Sequence, residues 1–153
     1  MKVRMAEPKD VDVIAEMFGR MYSLNSEFDP LLQVHDEVEE RLRKRLMEEL
    51  NNRDALIAVA EDEDKVVGAV RVRLETREFY VPEKMAIIEE IYVMPAFRRK
   101  GIGEKLVDYV TSELAKRGAR SIMARFPAKN VIAVSFYTKR GFREIHYEFI
   151  KKI

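Results

Sequence analysis

The sequence predicts an α/β fold of the mixed α+β kind, a central mixed, mostly antiparallel β-sheet flanked by helices on both faces. Three observations carry this expectation. Apolar runs of strand length cluster between residues 55 and 93. Stripes of helical period lie before and after that block. Hairpin-linked strands come first and two β-α crossovers follow, which argues a mixed sheet covered on both sides.

Taken in order, "KVRMA" (residues 2–6) reads as a short strand. In "EPKDVDVIAEMFGRMYS", Pro8 suits the first helical position and Asp10 the first turn. Val11, Ile14, Ala15, Phe18 and Tyr22 then share one helical face. "LNSEFDPLLQVH" is a loop. "DEVEERLRKRLMEEL" spaces Val38, Leu42, Leu46 and Leu50 four apart, and its charge run is read as a solvated face with i,i+4 pairs. "ALIAVA" is a buried strand run, and "KVVGAVRVRLE" alternates Val70, Val72 and Leu74 with Arg71 and Arg73. "ETREFYVPEK" connects to the strand "MAIIEEIYVM". The next helix carries Ile102, Leu106, Val110 and Leu114 as its stripe and stops at Gly118. "RSIMARF" is a strand, "NVIAVSFYTKRG" a short helix ending at Gly141, and "FREIHYEFIKKI" has strand character.

The length of 153 residues fits one domain over 1–153, with no repeat or linker to divide it. Lys plus Arg number 28 against 27 Asp plus Glu, a net charge of +1, so the molecule as a whole does not attract nucleic acid. There is no cysteine, which excludes disulfides, thiolate metal sites and a cysteine nucleophile. Neither His35 nor His146 has the partners of a metal site. No apolar run approaches the ~20 residues of a membrane span, so no membrane partner is expected and the cytoplasm is the simplest compartment.

The stretch "PAFRRKGIGEKL" (residues 95–106) departs from an ordinary turn. Arg98, Arg99 and Lys100 run into Gly101-Ile102-Gly103 between a strand and a helix. A helix N-terminus exposes unpaired N–H groups and partial positive charge, and glycine lets backbone approach an anion. The P-loop pattern G-x-x-x-x-G-K-[ST] is absent. The dinucleotide pattern fails at Leu106, where it needs a third glycine, and "RSIMARF" offers only Arg125 at its end instead of an acid. Downstream, Asn130 and Tyr137 are seven apart, two helical turns or roughly 10 Å on one face. Each has a plainer reading, Asn130 as a helix cap and Tyr137 as a core edge.

Arg98-Arg99-Lys100-Gly101-Ile102-Gly103 matches [QR]-x-x-G-x-[GA], and with "EEIYVMP" before it the stretch resembles the acetyl-CoA motif of the GNAT family of N-acetyltransferases. The second half of that signature is Asn130, Ala133, Phe136-Tyr137 and Gly141-Phe142. The resemblance covers nearly the whole chain and implies the order β-α-α-β-β-β-α-β-α-β-β, so the closing segment should split into two strands. It implies acetyl transfer from acetyl-CoA to a primary amine by direct attack, with CoA as product. Backbone groups of Ile91, Tyr92 and Val93 would lie along the pantetheine, the Val93 N–H polarising the thioester carbonyl. Backbone N–H groups from Arg99 to Glu104, spanning Lys100, Gly101, Ile102 and Gly103, would hold the pyrophosphate, and the Arg98 and Lys100 side chains would add long-range attraction. Asn130 would contact pantetheine amides, and Tyr137 would protonate the leaving thiolate.

Deprotonating an alkyl ammonium of pKa ~10.4 at pH 7 costs about 4–5 kcal/mol, so a base, desolvation or both must act. Glu89 and Glu90 are the acidic candidates. Alternation places them on opposite faces, Glu89 with Ile91 and Val93, and favours Glu89, directly or through a water. The other reading for either is a carboxylate paired with Arg71 or Arg73. Some relatives that acetylate protein N-termini carry a Glu where this chain has Arg125, five residues before Asn130, a departure from that branch. The acceptor is expected between "YSLNSEFDPLLQVH" and "REIHYEF", where Glu27, Asp29 and His35 are candidate amine contacts against the plainer reading of solvated loop residues. A small-molecule, protein or peptide amine remains open, a homodimer is compatible with the resemblance, and the competing function is a non-catalytic CoA-binding module on the same fold.

Overall fold

A computed structural model describes all 153 residues. One five-stranded sheet runs in the order β1 (Lys2–Met5), β2 (Ala55–Asp62), β3 (Lys65–Thr76), β4 (Lys84–Val93) and β5 (Ile122–Ala124). Its first three pairings are antiparallel and only β4–β5 is parallel. A parallel neighbour needs a crossover, and the helix α3 (Ile102–Lys116) supplies it. The other helices are α1 (Val11–Asn25), α2 (Val38–Glu49) and α4 (Val131–Thr138).

The sheet divides two cores. Leu56, Ala58, Val70, Val72 and Ile88 pack with Ile102, Leu106 and Val110 of α3 and with Tyr137 of α4. Ile57, Val59, Ala69 and Tyr92 pack with Ile14, Phe18 and Leu46 of α1 and α2. Both faces being covered, β2 reads as a continuous apolar run. At the entry to α1, Pro8–Asp10 form a single 3-10 turn. There the buried Asp10 carboxylate accepts from Arg4 at 2.8 and 3.0 Å and from the Glu7 N–H at 2.8 Å.

Two features depart from the sequence expectation. β4 carries a bulge: Arg71 lies opposite Glu90 and Val72 opposite Ile88, so Glu89 is an extra residue. Beyond it the alternation of β4 is inverted. Secondly, residues 142–153 form no strand, and Ile145, Tyr147 and Phe149 are exposed. Alternating composition supplies a strand's side-chain pattern but not the partner backbone that makes a ladder. Likewise β5 is only three residues long, where "RSIMARF" predicts more. No helix is long and apolar enough to cross a membrane.

Candidate active site

The parallel pair separates at its far end. β5 stops at Ala124 while β4 runs on to Val93. The last link is a long one, Arg125 N–H to the Ile88 carbonyl at 3.4 Å, and Pro127 has no N–H to extend it. On the other side of β4, the Met94 N–H donates to the Val67 carbonyl at 2.8 Å. Antiparallel bonding alternates, so Tyr92 is the next hydrogen-bonded residue, opposite Ala69. Ile91 and Val93 therefore turn their backbone groups into the gap, and Tyr92 turns its groups to β3. Of the three expected pantetheine contacts, geometry favours Ile91 and Val93.

Beyond the gap, Arg99 (φ 64°) and Gly101 (φ 76°) both adopt the left-handed conformation. Left-handed residues in a turn point successive N–H groups into one concavity. Arg98 N–H donates to Pro95 at 3.3 Å, and the first bond of α3 runs from Lys105 N–H to Gly101 at 3.1 Å. Between them the N–H groups of Arg99, Lys100, Gly101, Ile102, Gly103 and Glu104 have no acceptor in the chain. A Cβ placed on Gly101 would meet nothing within 4 Å, so this side of the turn is open. The cradle thus fits a pyrophosphate. The Arg98 side chain is not free: its Nε donates to the Val93 carbonyl at 2.9 Å and its guanidinium covers the Tyr92 ring at 5.3 Å. Lys100 lies over Phe97 at 5.2 Å.

Gly103 has a packing role: a Cβ there would meet the Phe136 ring at 3.1 Å. This close approach seats α4 on α3. The Glu104 carboxylate pairs with Arg140, whose guanidinium stacks on Phe136 at 3.8 Å. Asn130 caps α4, its Oδ1 accepting from the Ala133 N–H at 3.1 Å, which leaves its amide NH2 as a donor. Tyr137 is 6% exposed. Its ring stacks on Phe126 at 5.3 Å and meets Phe136 and Phe142 edge-on, each at 5.0 Å. Burial raises its hydroxyl above the usual tyrosine range, against a weaker opposing pull from Arg140.

The bulge changes the placement of the carboxylates. Glu89 and Glu90 lie on the same α1–α2 face, not on opposite faces, whereas Ile91 and Val93 pack toward α3. Glu89 accepts from Arg73 at 2.9 Å and from Arg125 at 3.4 Å through one oxygen. Glu90 is 1% exposed and takes two bonds from Arg71, at 2.5 and 2.9 Å, and one from the Tyr22 hydroxyl at 2.8 Å. Arg71 also reaches both oxygens of Glu49 at 2.8 and 2.9 Å. Burial raises the Tyr22 hydroxyl, with the Glu90 charge adding to it. Burial opposes the charge on Arg71, and Glu90 and Glu49 outweigh it. Glu90 is therefore a saturated structural carboxylate, and Glu89 is the more accessible of the two, at 17% against 0% side-chain exposure.

Tyr22, Arg71 and Arg140 carry contacts that sequence reading did not assign to the site. Tyr22 had a helical-face signal and Arg71 a named carboxylate alternative, but Arg140 had none. On the acceptor side, Asp29 Oδ1 caps the Leu31 N–H at 2.9 Å and His35 Nδ1 accepts from the Glu37 N–H at 3.0 Å. Both shape their own loop. His146 is exposed outside any strand.

Comparison with known proteins accords with this geometry. Residues 18–142 match the model of the acetyltransferase (GNAT) family, and the chain belongs to that family. It is 24% identical over 151 residues to the uncharacterized N-acetyltransferase YhfO of Bacillus subtilis, covering 96% of this chain and 95% of that one. It is 34% identical over 59 residues to the ribosomal protein bS18-alanine N-acetyltransferase of Escherichia coli, 39% of this chain and 40% of that protein. A predicted acetyltransferase from Clostridium acetobutylicum, solved with acetyl-CoA, has the same fold: TM-score 0.81 at 16% identity, over 99% of this chain and 95% of that one. The protein is an N-acetyltransferase, and acetyl-CoA is its co-substrate.

Proposed function

We propose that this enzyme transfers the acetyl group directly to a primary amine that approaches from the α1–α2 face, without an acetyl-enzyme. The carrying observation is the run of six acceptor-free N–H groups from Arg99 to Glu104, beside a sheet gap into which Ile91 and Val93 turn their backbone. Bound acetyl-CoA supplies an activated acyl group on a thiol leaving group. The α3 N-terminus holds the pyrophosphate by backbone donors. The Asn130 amide donates along the pantetheine arm. The Val93 N–H, whose carbonyl is already held by Arg98, donates to the acyl oxygen. The new C–N bond forms as the C–S bond breaks. The amine's proton goes to Glu89, directly or through a water, and the Tyr137 hydroxyl gives its proton to the departing sulfur. The lack of any cysteine supports direct attack over a cysteine-borne acyl group.

The test is release of free thiol from acetyl-CoA against a panel of amines, paired with calorimetric binding of acetyl-CoA to wild type and Gly101→Asp. The aspartate sets a carboxylate in the open space above the cradle, and acetyl-CoA binding should be lost. Gly118→Ala, also at positive φ (95°) with open space around it but outside the cradle, controls for backbone strain. Normal binding by Gly101→Asp would displace the cradle. Binding without thiol release for any amine would favour the non-catalytic CoA-binding module. A cytoplasmic location and a homodimer belong to the same proposal. The dimer reading is supported by the exposed apolar side chains Ile145, Tyr147, Phe149, Ile150 and Ile153, and light scattering tests it.

A further inference from the structure

Arg125 stands one residue past the end of β5, where the sheet opens. Its side chain is 47% exposed, and its only carboxylate contact is Glu89 at 3.4 Å, on an oxygen that Arg73 already binds at 2.9 Å. Arg73 in turn touches Glu75 at 3.4 Å. Arg125 therefore keeps most of its five donors unused, next to the carboxylate that faces the acceptor. A half-exposed ion pair of this length contributes little, so separating it costs little.

Resting on the function proposed above, we infer that Glu89 and Arg125 together recognise a zwitterionic acceptor: a compact primary amine carrying a carboxylate or phosphate a few bonds away. The free enzyme holds two opposite charges side by side in a weak mutual contact. A zwitterion replaces that one contact with two, its ammonium facing Glu89 and its anion lying across the guanidinium fork, which fits carboxylate and phosphate alike. A polyamine meets Arg73 and Arg125 with like charge. An amine without an anion leaves Arg125 on Glu89, and its ammonium competes with Arg125 for the same oxygen. Arg125 thus binds and orients the acceptor, and it takes no part in proton transfer.

The experiment compares matched amines in the thiol-release assay: β-alanine against β-alaninamide, and O-phosphoethanolamine against ethanolamine, with spermidine as the cationic arm. Wild type should favour the anionic member of at least one pair by about tenfold or more in kcat/KM, as expected for a charge-assisted hydrogen bond. Which pair shows the preference separates carboxylate from phosphate. Arg125→Gln should narrow that ratio to near one, chiefly through KM, with acetyl-CoA affinity unchanged as the check on folding. No preference in either pair, a preference for spermidine, or a preference that survives Arg125→Gln would overturn the inference while leaving acetyl transfer intact. Failure of acetyl-CoA to bind would instead remove the underlying reading. If acetyl-CoA binds and no amine turns over, calorimetric titration of the enzyme–CoA complex decides. Anionic members binding wild type at least about tenfold more tightly than Arg125→Gln would support recognition, and equal or absent heats would overturn it.

Discussion

The Arg98 Nε proton is donated to the Val93 carbonyl at 2.9 Å, which ties the first cation of the loop to the last residue of β4. The bond joins the loop of acceptor-free N–H groups to the strand that lines the gap. Arg98→Lys keeps the charge but loses the planar donor, so it separates bracing from attraction. We expect Arg98→Lys to weaken acetyl-CoA binding nearly as much as Arg98→Ala, by roughly 1 kcal/mol or about fivefold. Near-wild-type calorimetric affinity for the lysine variant would mean that charge alone matters.

Tyr137→Phe keeps the ring that Phe126, Phe136 and Phe142 enclose and removes only the hydroxyl. Turnover should fall by about 10²-fold or more while the affinity for acetyl-CoA stays within a factor of two or so. Burial raises this hydroxyl, so it remains protonated across neutral and moderately alkaline pH. The rate should accordingly climb with pH as the amine loses its proton and show no falling limb below about pH 10. A descending limb in that range that vanishes in Tyr137→Phe would contradict a raised tyrosine.

Arg71 is 7% exposed and joins Glu90 of β4 to Glu49 of α2. Arg71→Met leaves two buried carboxylates without their cation and should destabilise the fold by about 3–5 kcal/mol in urea unfolding. Adding Glu90→Gln to that variant should recover part of the loss, because the amide removes one stranded charge. Unfolding with unchanged midpoint for Arg71→Met would show that water compensates this cluster.

Asp10 titrates below the usual aspartate range. Burial opposes the shift, but the Arg4 hydrogen bonds and the Glu7 N–H outweigh it. A depressed folded pKa means that the stabilisation is complete above the unfolded value near 3.9 and is lost as pH falls through the folded value. Wild type should therefore lose stability more steeply than Asp10→Asn below about pH 4, while the variant is the less stable at pH 7. Parallel acid-unfolding curves would refute the assignment.

Much of this arrangement was readable from residues alone because it rests on local rules. The apolar stripes of α1 and α3 gave their buried faces, and the Gly101 turn was legible because an unpaired helix N-terminus follows from backbone chemistry. Asn130 was legible as a cap, because an asparagine before an apolar helical run is a local signal. The bulge at Glu89 was not, because an extra glutamate in "IIEEIYV" has no composition signal and ordinary alternation is the default. The partners of the two glutamates, Arg73 for Glu89 and Arg71 and Tyr22 for Glu90, come from 16 to 68 residues away, a pairing set by tertiary packing. The closing segment misled for the converse reason: its alternation was clear, but a strand is a relation between two backbones.

The bulge at Glu89 can also be described as a phase shift. One inserted position advances β4 by half a period, so everything after it faces the opposite way from where an uninterrupted strand would put it. Substitutions in Glu89–Val93 change one side chain at a time, but deleting Glu89 would exchange the roles of Ile91, Tyr92 and Val93 together. Tyr92's backbone would then turn to the gap, and Ile91 and Val93 would be spent on β3. The reading frame of this strand, more than any single residue in it, is what decides which backbone groups face the gap and which pair with β3.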